Sequence, residues 1–563
     1  MGITLGIKAT HDGGFAVLAQ IRDTASLLLS IEMEKLGNAE RHARPVSMEQ
    51  IAMQLGAEGF SPEDIDTIAF DGWWPDLADT WLETPRPTTA MPAQAPYIEP
   101  GDDLRDLPCY AGRITFAGRD VPTRAYPHSV GHVLGTYLAS PHRDALVLVW
   151  DGGMPATVYR VSPHRAWREA VVLPITGNLY PVFCSLLSPF RDAWFAGPAR
   201  KLADPVIRVG DPRWLAYNLS VPGKAMAYAG LGHVDEDAIG ILNRHTPAVM
   251  TVNRHHEYLR PARNLTDDVA WVHRVGVDLA RLGLDDATLM ASFQEWLYRL
   301  LELSLAPYAG DLPLLFTGGC ALNIKWNSRL RASGMFADVW VPPFPNDSGS
   351  ALGAAAAHVY QQGASSMLWS VYAGPRLLPS DPAPGWRRGF CTVRQLASHL
   401  HRTGDPVVVL YGQAEIGPRA LGHRSIIAPA TDGEMHGYLN ALKLREQFRP
   451  VAPICLQAAA PDIFDPGTPD PYMLFDHQIR PAWRERIPAV MHADGSARLQ
   501  TVSPDDHLMH DLLAEYALLS GVPVLCNTSA NFSGCGFFPD AGSAMRWGGT
   551  AAVWDTGLLY TRG

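Results

Sequence analysis

The sequence has few cysteines, no long apolar run and no surplus of positive charge, and each lack narrows what the chain does. Its seven cysteines stand far apart, at 109, 184, 320, 391, 455, 526 and 535. An odd number with no Cys-x-x-Cys predicts reduced thiols, not a disulfide framework or a zinc knot. No apolar run approaches the ~20 residues of a bilayer span. The start, Met-Gly-Ile-Thr-Leu-Gly-Ile-Lys, lacks a charged-then-apolar leader layout. No membrane partner and a cytoplasmic protein are the expectation. Lys and Arg number 46 against 57 Asp and Glu, a net charge of -11, which argues against nucleic acid as the main partner. There is no internal repeat or low-complexity tract. With 563 residues, more than one domain is expected.

Against that acidic background one stretch is basic. Between Gly412 and Pro453 stand Arg419, Arg424, Lys443, Arg445 and Arg449, punctuated by Gly412, Gly417 and Gly422. Arg445 and Arg449 are four apart and would repel as neighbours on a helix. Glycines let backbone approach a ligand closely. A basic surface loop and solvated helix face is the plain reading. The Gly and Pro punctuation favours a phosphate or acyl-phosphate site. Further on, a strand over 522–526 runs into Asn527-Thr528-Ser529-Ala530-Asn531. Those amides and hydroxyls suit phosphate oxygens and a ribose, or form an ordinary polar turn.

The first part opens with strands around the turn Thr10-His11-Asp12-Gly13-Gly14. His11 there is a candidate base or ligand. In the helix over 126–138, His128 and His132 lie four apart, opposite the apolar stripe Val130, Val133, Leu134, Tyr137 and Leu138 and among small residues. That spacing fits a solvated helix face or a metal clamp. Asp151 ends a strand before Gly152-Gly153 and is a candidate metal ligand or a turn residue. A strand over 312–316 leads to Thr317-Gly318-Gly319-Cys320-Ala321-Leu322-Asn323, where backbone N–H groups at a helix start could dock an anion or nucleotide. Asp347, before the helix 351–361, is a cap or the carboxylate completing a two-histidine site. The Pro-rich stretch 371–386 is the expected linker. The segment 72–112, rich in Trp, Pro and acids, is a candidate partner or acceptor wall.

In this order the pieces resemble the natural-product O-carbamoyltransferases: the tobramycin, cephem and ansamycin enzymes and the nodulation protein NodU. The resemblance rests on His11-Asp12, His128/His132, Asp151-Gly-Gly, Gly223-Lys224-x-Met226, Thr317-Gly-Gly-Cys-Ala-Leu-Asn, Asp347-Ser-Gly, Gly417-Pro-Arg-Ala-Leu-Gly-x-Arg-Ser, Lys443-x-Arg-Glu-x-Phe-Arg-Pro, Arg498-x-Gln-Thr and Asn527-Thr-Ser. It implies an α/β protein of two catalytic domains. The first, 1–370, is ASKHA-type: ribonuclease-H-like and akin to the threonylcarbamoyl-transfer half of tRNA modification. The second, 387–563, is YrdC-like, its signatures recurring as Lys443/Arg445 and Ser529/Asn531. A last strand over 551–563 could return to the first domain.

The implied activity is antibiotic-type carbamoyl transfer. The second domain would make carbamoyl adenylate from carbamoyl phosphate and ATP with Mg(II), releasing phosphate and pyrophosphate. Lys443, Arg449 and Arg419 would act on the reacting phosphates. Arg445, Arg498, Asn527, Ser529 and Asn531, with Gly318, Gly319 and Asn323 of the first domain, would bind nucleotide. The first domain would pass the carbamoyl group to a small hydroxylated acceptor. There His11 would be the base, and a metal would sit on His128, His132, Asp151 and Asp347. Fe(II) is implied by the resemblance; Mn or Zn suits the donors equally. The sequence departs from the family at Glu32-Met-Glu34-Lys35, where Glu-Glu-Arg is usual, and in the length of 186–221. A homodimer stays open. Two competing readings remain: an ASKHA-type small-molecule kinase, and a tRNA-modifying threonylcarbamoyl-type module.

Overall fold

The structure is a computed structural model that describes residues 2–73, 95–99, 103–104, 110–191, 212–246, 265–532 and 534–562. Most of the Trp-rich excursion 72–112 and of the segment 186–221 lies outside the described residues.

The chain builds one plan twice. In the first sheet, β1 (Gly2–Lys8), β2 (Gly14–Ile21) and β3 (Thr24–Glu32) form an antiparallel meander. Then β4 (Thr67–Asp71) pairs parallel to β1, and β6 (Arg119–Tyr126) parallel to β4, with β5 (Tyr110–Phe116) beyond it. In the second sheet, β7 (Ala145–Asp151), β8 (Met154–Val161) and β9 (Ala166–Thr176) repeat the meander. Here β10 (Leu314–Thr317) lies parallel to β7, and β11 (Val339–Trp340) parallel to β10. This is the duplicated ribonuclease-H-like plan of ASKHA-type folds. β12 (Ser366–Leu368) closes the first sheet beside β3. Every residue of β7 is buried, as its unbroken apolar run requires of a strand covered on both faces.

Two helices fill the space between the sheets. Ser350–Gln361 packs on β1, β2 and β4; His128–Ala139 packs on β7 and β10; and the two pack on each other. Both are almost wholly buried. Small residues make the contact: a Cβ at Gly353 would lie 2.5 Å from the Gly131 carbonyl oxygen. The face of His128 and His132 is therefore not solvated but pressed against a neighbouring helix.

The second half is a mixed α/β sheet in the order β13-β23-β22-β14-β15-β21-β16-β20. Its strands are β13 (Trp386–Phe390), β14 (Val407–Leu410), β15 (Arg424–Pro429), β16 (Ala452–Leu456), β20 (Gln500–Val502), β21 (Val524–Ser529), β22 (Ala552–Asp555) and β23 (Leu558–Arg562). A small sheet, β17 (Phe464–Asp465), β18 (His477–Ile479) and β19 (Ser496–Ala497), flanks it. The expectation that the last strand returns to the first half is corrected: β23 pairs with β13 and β22. The short turn Thr556–Gly557 lets β23 double straight back along β22.

The halves are closely joined. The Glu32 carboxylate accepts the Gly417 N–H at 2.6 Å, and Lys35 Nζ donates to the carbonyls of Gly417, at 2.8 Å, and Glu415. Lys325 Nζ meets Asp476 at 2.7 Å. Leu474 and Phe475 are buried in the core of the first half.

Enlarging Gly353 tests the helix contact. Gly353→Ala is expected to lower stability by about 1–3 kcal/mol, the usual cost of overpacking, and to reduce bound metal per chain. Urea unfolding and elemental analysis check both.

Candidate active sites

The first site forms where strand ends converge on the two central helices. His128 and His132 leave one face of their helix, Asp151 ends β7, and Asp347 precedes the helix Ser350–Gln361. All four are buried, and their ligand atoms lie within 4.8 Å of one another. Nε2 of His128 and of His132 are 3.1 Å apart and lie 3.2 and 3.5 Å from Asp347 Oδ1.

Neighbouring groups fix the tautomers. His128 Nδ1 meets Asp71 at 2.8 Å. Thr317 gives its hydroxyl proton to the Pro345 carbonyl and so accepts from His132 Nδ1. Both Nε2 lone pairs then face one spot beside a carboxylate, an arrangement that repels itself unless positive charge lies between. Burial works against a charged His128, but Asp71 and Asp347 overcome it and raise its pKa to about 9. Three carboxylates, Asp71, Asp151 and Asp347, face one buried ammonium, Lys8, whose Nζ lies 3.2 Å from Asp71 and 3.0 Å from Asp347. When both imidazoles are neutral, as ligands must be, two negative charges remain; without a cation, a proton on His128 offsets one of them. The donor set and its charge fit a divalent cation.

Lys8, Asp71 and Tyr97 escaped the sequence reading, and Thr317 figured there only as the start of the Gly-Gly turn. Lys8 and Asp71 close apolar strands as Asp151 does, and that shared signal could have found them. Tyr97 donates to Asp151 Oδ2 at 2.7 Å and stacks on His128, ring centroids 4.6 Å apart. His11 stands at the rim, Nε2 3.6 Å from Asp347 and Nδ1 3.4 Å from Asp12.

The Gly-Gly turn differs from the expected anion dock. The Gly318 N–H donates to Pro345 O at 2.8 Å, and the Gly319 N–H to Asp151 Oδ1 at 2.6 Å. Asn323 caps the helix Ile324–Ala332. These groups hold Asp151 and the turn in place, and the N–H groups of both glycines are already spent.

The second site lies in the other half. The helix Glu434–Leu442 ends one residue before Lys443, so Arg445 and Arg449 sit in turns and not on a shared helix face. Leu444 takes a positive φ of 49°, which helps turn the chain. Buried Lys443 donates to Ser529 O at 2.5 Å, Ser529 Oγ at 2.8 Å and Asn531 Oδ1 at 2.8 Å. Arg419, Arg445, Arg449 and Arg498 are half-buried around it. Nε of Arg419, Arg445 and Arg498 is buried without any hydrogen-bond partner. Asn527 binds Ala420 O and Gln500 Oε1, so it braces the Arg419 loop. At Gly417, φ is +87° and a side chain would strike the Pro343 carbonyl.

Arg424 departs from the expectation. It is buried and donates to the carbonyls of Tyr411, Gly412, His423 and Pro375, pinning the linker to the strand. Arg498, expected at this site from the resemblance, lies beside Arg419 and Arg449. Burial, then neighbouring arginines, lower the cations: Arg419 to about 10, Arg445 to about 9, and Lys443 and Arg498 well below their ordinary values.

Two family descriptions match the chain: "Carbamoyltransferase N-terminus" over residues 3–356 and "Carbamoyltransferase C-terminus" over 397–553. The chain belongs to the carbamoyltransferase family. It is 41% identical to Nodulation protein U of Rhizobium tropici, covering 99% of this chain and 96% of that protein. The corresponding protein of Azorhizobium caulinodans is 40% identical, with 99% and 98% covered. The 3'-hydroxymethylcephem-O-carbamoyltransferase of Streptomyces clavuligerus is 31% identical, with 97% and 96% covered. As a member of this family the chain is a transferase. Among its described residues no helix is long and apolar enough to cross a membrane.

Lys443 gives the cation cluster a proton-linked signature. Its depressed pKa should rise when an anion offsets the neighbouring arginines. Binding of sulfate, an anion that does not itself titrate near neutrality, is therefore expected to take up protons at pH values between the lowered pKa of free Lys443 and its ordinary value. Calorimetry in buffers of different ionisation enthalpy reads the uptake. A buffer-independent enthalpy across that range contradicts it.

Proposed function

We propose that the chain activates carbamoyl phosphate with ATP in its C-terminal half and transfers the carbamoyl group to a hydroxyl of a small acceptor in its N-terminal half. The observation that carries this reading is the set of buried, unpartnered guanidinium nitrogens around Lys443. Fixed donors without partners in the free protein cost little reorganisation when charge arrives, and they act where charge develops.

In the activating step, water converts carbamoyl phosphate to carbamate and phosphate. A carbamate oxygen then attacks the α-phosphorus of magnesium-bound ATP. The new P–O bond replaces the bond to pyrophosphate, and carbamoyl adenylate results. Lys443 is held by Ser529 and Asn531 for this purpose. Arg419, Arg445, Arg449 and Arg498 bind the surrounding phosphate oxygens.

In the transfer step the acceptor oxygen attacks the carbamoyl carbon, the bond to the phosphate oxygen breaks, and AMP leaves. His11 receives the hydroxyl proton at Nε2, because Asp12 engages its Nδ1. His128, His132, Asp347 and Asp151 would hold the metal, iron(II) by family resemblance. When bound, it would supply a Lewis-acid charge to the adenylate phosphate and the carbonyl. Asp71, Thr317 and Tyr97 orient those ligands.

A kinase reading gives Lys443 and its arginines no task. It predicts ADP, where carbamoyl transfer predicts AMP and pyrophosphate. Tight, salt-dependent tRNA binding would favour the tRNA-modifying reading instead.

The two sites should separate genetically. Lys443→Ala is expected to cut carbamoyl-phosphate-dependent ATP–pyrophosphate exchange by ~10²–10³, the usual effect of losing one aimed donor. His128→Ala should leave that exchange intact while abolishing transfer, read as loss of the carbamoylated product by mass spectrometry. Full transfer by metal-free His128→Ala protein would refute the metal assignment.

A further inference from the structure

Lys443 and the arginines around it can only donate hydrogen bonds. A ligand that itself offers N–H groups needs an acceptor beside them, and His492 has one uncommitted. Its Nε2 is buried without a hydrogen-bond partner among the described residues. A buried polar atom in that state costs stability, and natural folds keep few of them.

The neighbours of His492 settle which ring nitrogen carries the proton. Ser496 Oγ gives its proton to Asp494 Oδ1 at 2.6 Å and accepts from Lys325 Nζ at 2.8 Å. The contact of Ser496 Oγ with His492 Nδ1, at 3.2 Å, is therefore donated by the histidine. Nδ1 holds the proton and Nε2 is a bare lone pair. Lys325, which anchors this chain of bonds, comes from the helix Ile324–Ala332 of the first half and also binds Asp476 and Asp494.

Contacts on two sides bring the lone pair to the cation cluster. On one side, Ala497 and Leu499 are buried in the core of the second half, so Ser496, Arg498 and Gln500 alternate onto the opposite face. Ser496 holds His492 there, and Gln500 donates to the Leu421 carbonyl at 2.8 Å, in the Arg419 loop. Arg498 stands between them. On the other side, Ala489 and Val490, just before His492, pack with Met435 and Leu439 of the helix Glu434–Leu442. His436 of that helix lies 2.9 Å from the Arg449 carbonyl. Burial, then Lys325, Arg498 and His436, lower His492 to about 3 against the pull of Asp494. An imidazole held that low is too weak a base to take protons near neutrality. It remains a competent acceptor.

We propose that His492 accepts an N–H of the carbamoyl amide and so makes the activating pocket selective for carbamoyl phosphate over acyl phosphates that lack one. The guanidinium groups bind phosphate oxygens and do not tell an amide from a methyl group. Asn527 Oδ1 is unpartnered too, but the family resemblance gives Asn527 to the nucleotide. This inference rests on the reading of the cation cluster given above.

The test uses the full-length protein and two unreactive phosphonates of the same shape. Phosphonoacetamide carries the amide; acetonylphosphonate has a methyl group in its place. By calorimetry the wild type is expected to bind phosphonoacetamide about tenfold or more tighter. His492→Leu should bind the two equally, at the wild-type affinity for acetonylphosphonate. His492→Gln, whose amide oxygen can accept, should keep part of the preference. A His492→Leu protein that weakens both ligands but keeps the preference would mark a structural residue and overturn the proposal. A wild-type chain that catalyses carbamoyl-phosphate-dependent ATP–pyrophosphate exchange but shows no preference would sink this inference alone. A wild-type chain with neither exchange nor binding would take down the reading of the pocket, and this inference with it.

Discussion

The structure depends on holding like charges together without neutralising them. Lys443 and the four arginines around it repel one another in a partly desolvated pocket, and burial lowers every one of them. Apart from Glu446, 3.7 Å from Arg449, the fold opposes that repulsion with neutral groups: a serine, an asparagine, a threonine hydroxyl and a proline carbonyl. Neutral acceptors fix direction but leave the charge available to a ligand. A carboxylate at each arginine would have been more stable and inert.

The first site is the electrostatic inverse. Three buried carboxylates and two imidazole lone pairs converge with one ammonium against them. Electron-pair donors are gathered there as guanidinium donors are gathered in the other half. In both places the fold stores an unmet demand for charge of one sign. That is the physical form of a binding site for an ion or a charged intermediate.

The two demands are coupled by packing. Glu32, Lys35 and the segment behind them touch the Gly417 loop on one side and the Asp12 turn on the other. Gly417 can make that contact only without a side chain. Glu32 and Lys35 are both buried at this junction, and that burial raises Glu32 to about 7 despite Lys35 beside it. The helix contact through Gly131 and Gly353 plays the same part within the first half, bringing the histidine pair to Asp347.

The order of motifs along the chain was enough for the α/β class and the family, and the residues expected at the two sites came with that resemblance. The histidine pair at i, i+4 and a carboxylate ending an apolar strand are legible because a helix and a strand fix local geometry. Which cations of the basic stretch share a pocket was not legible from the stretch itself. Arg424 stands within it but points along its strand toward backbone carbonyls, and only the sheet order decides that. The roles of Lys8, Asp71 and Tyr97 also waited on the tertiary structure. Each reaches its site through contacts 50 or more residues away in sequence, where no local pattern reaches.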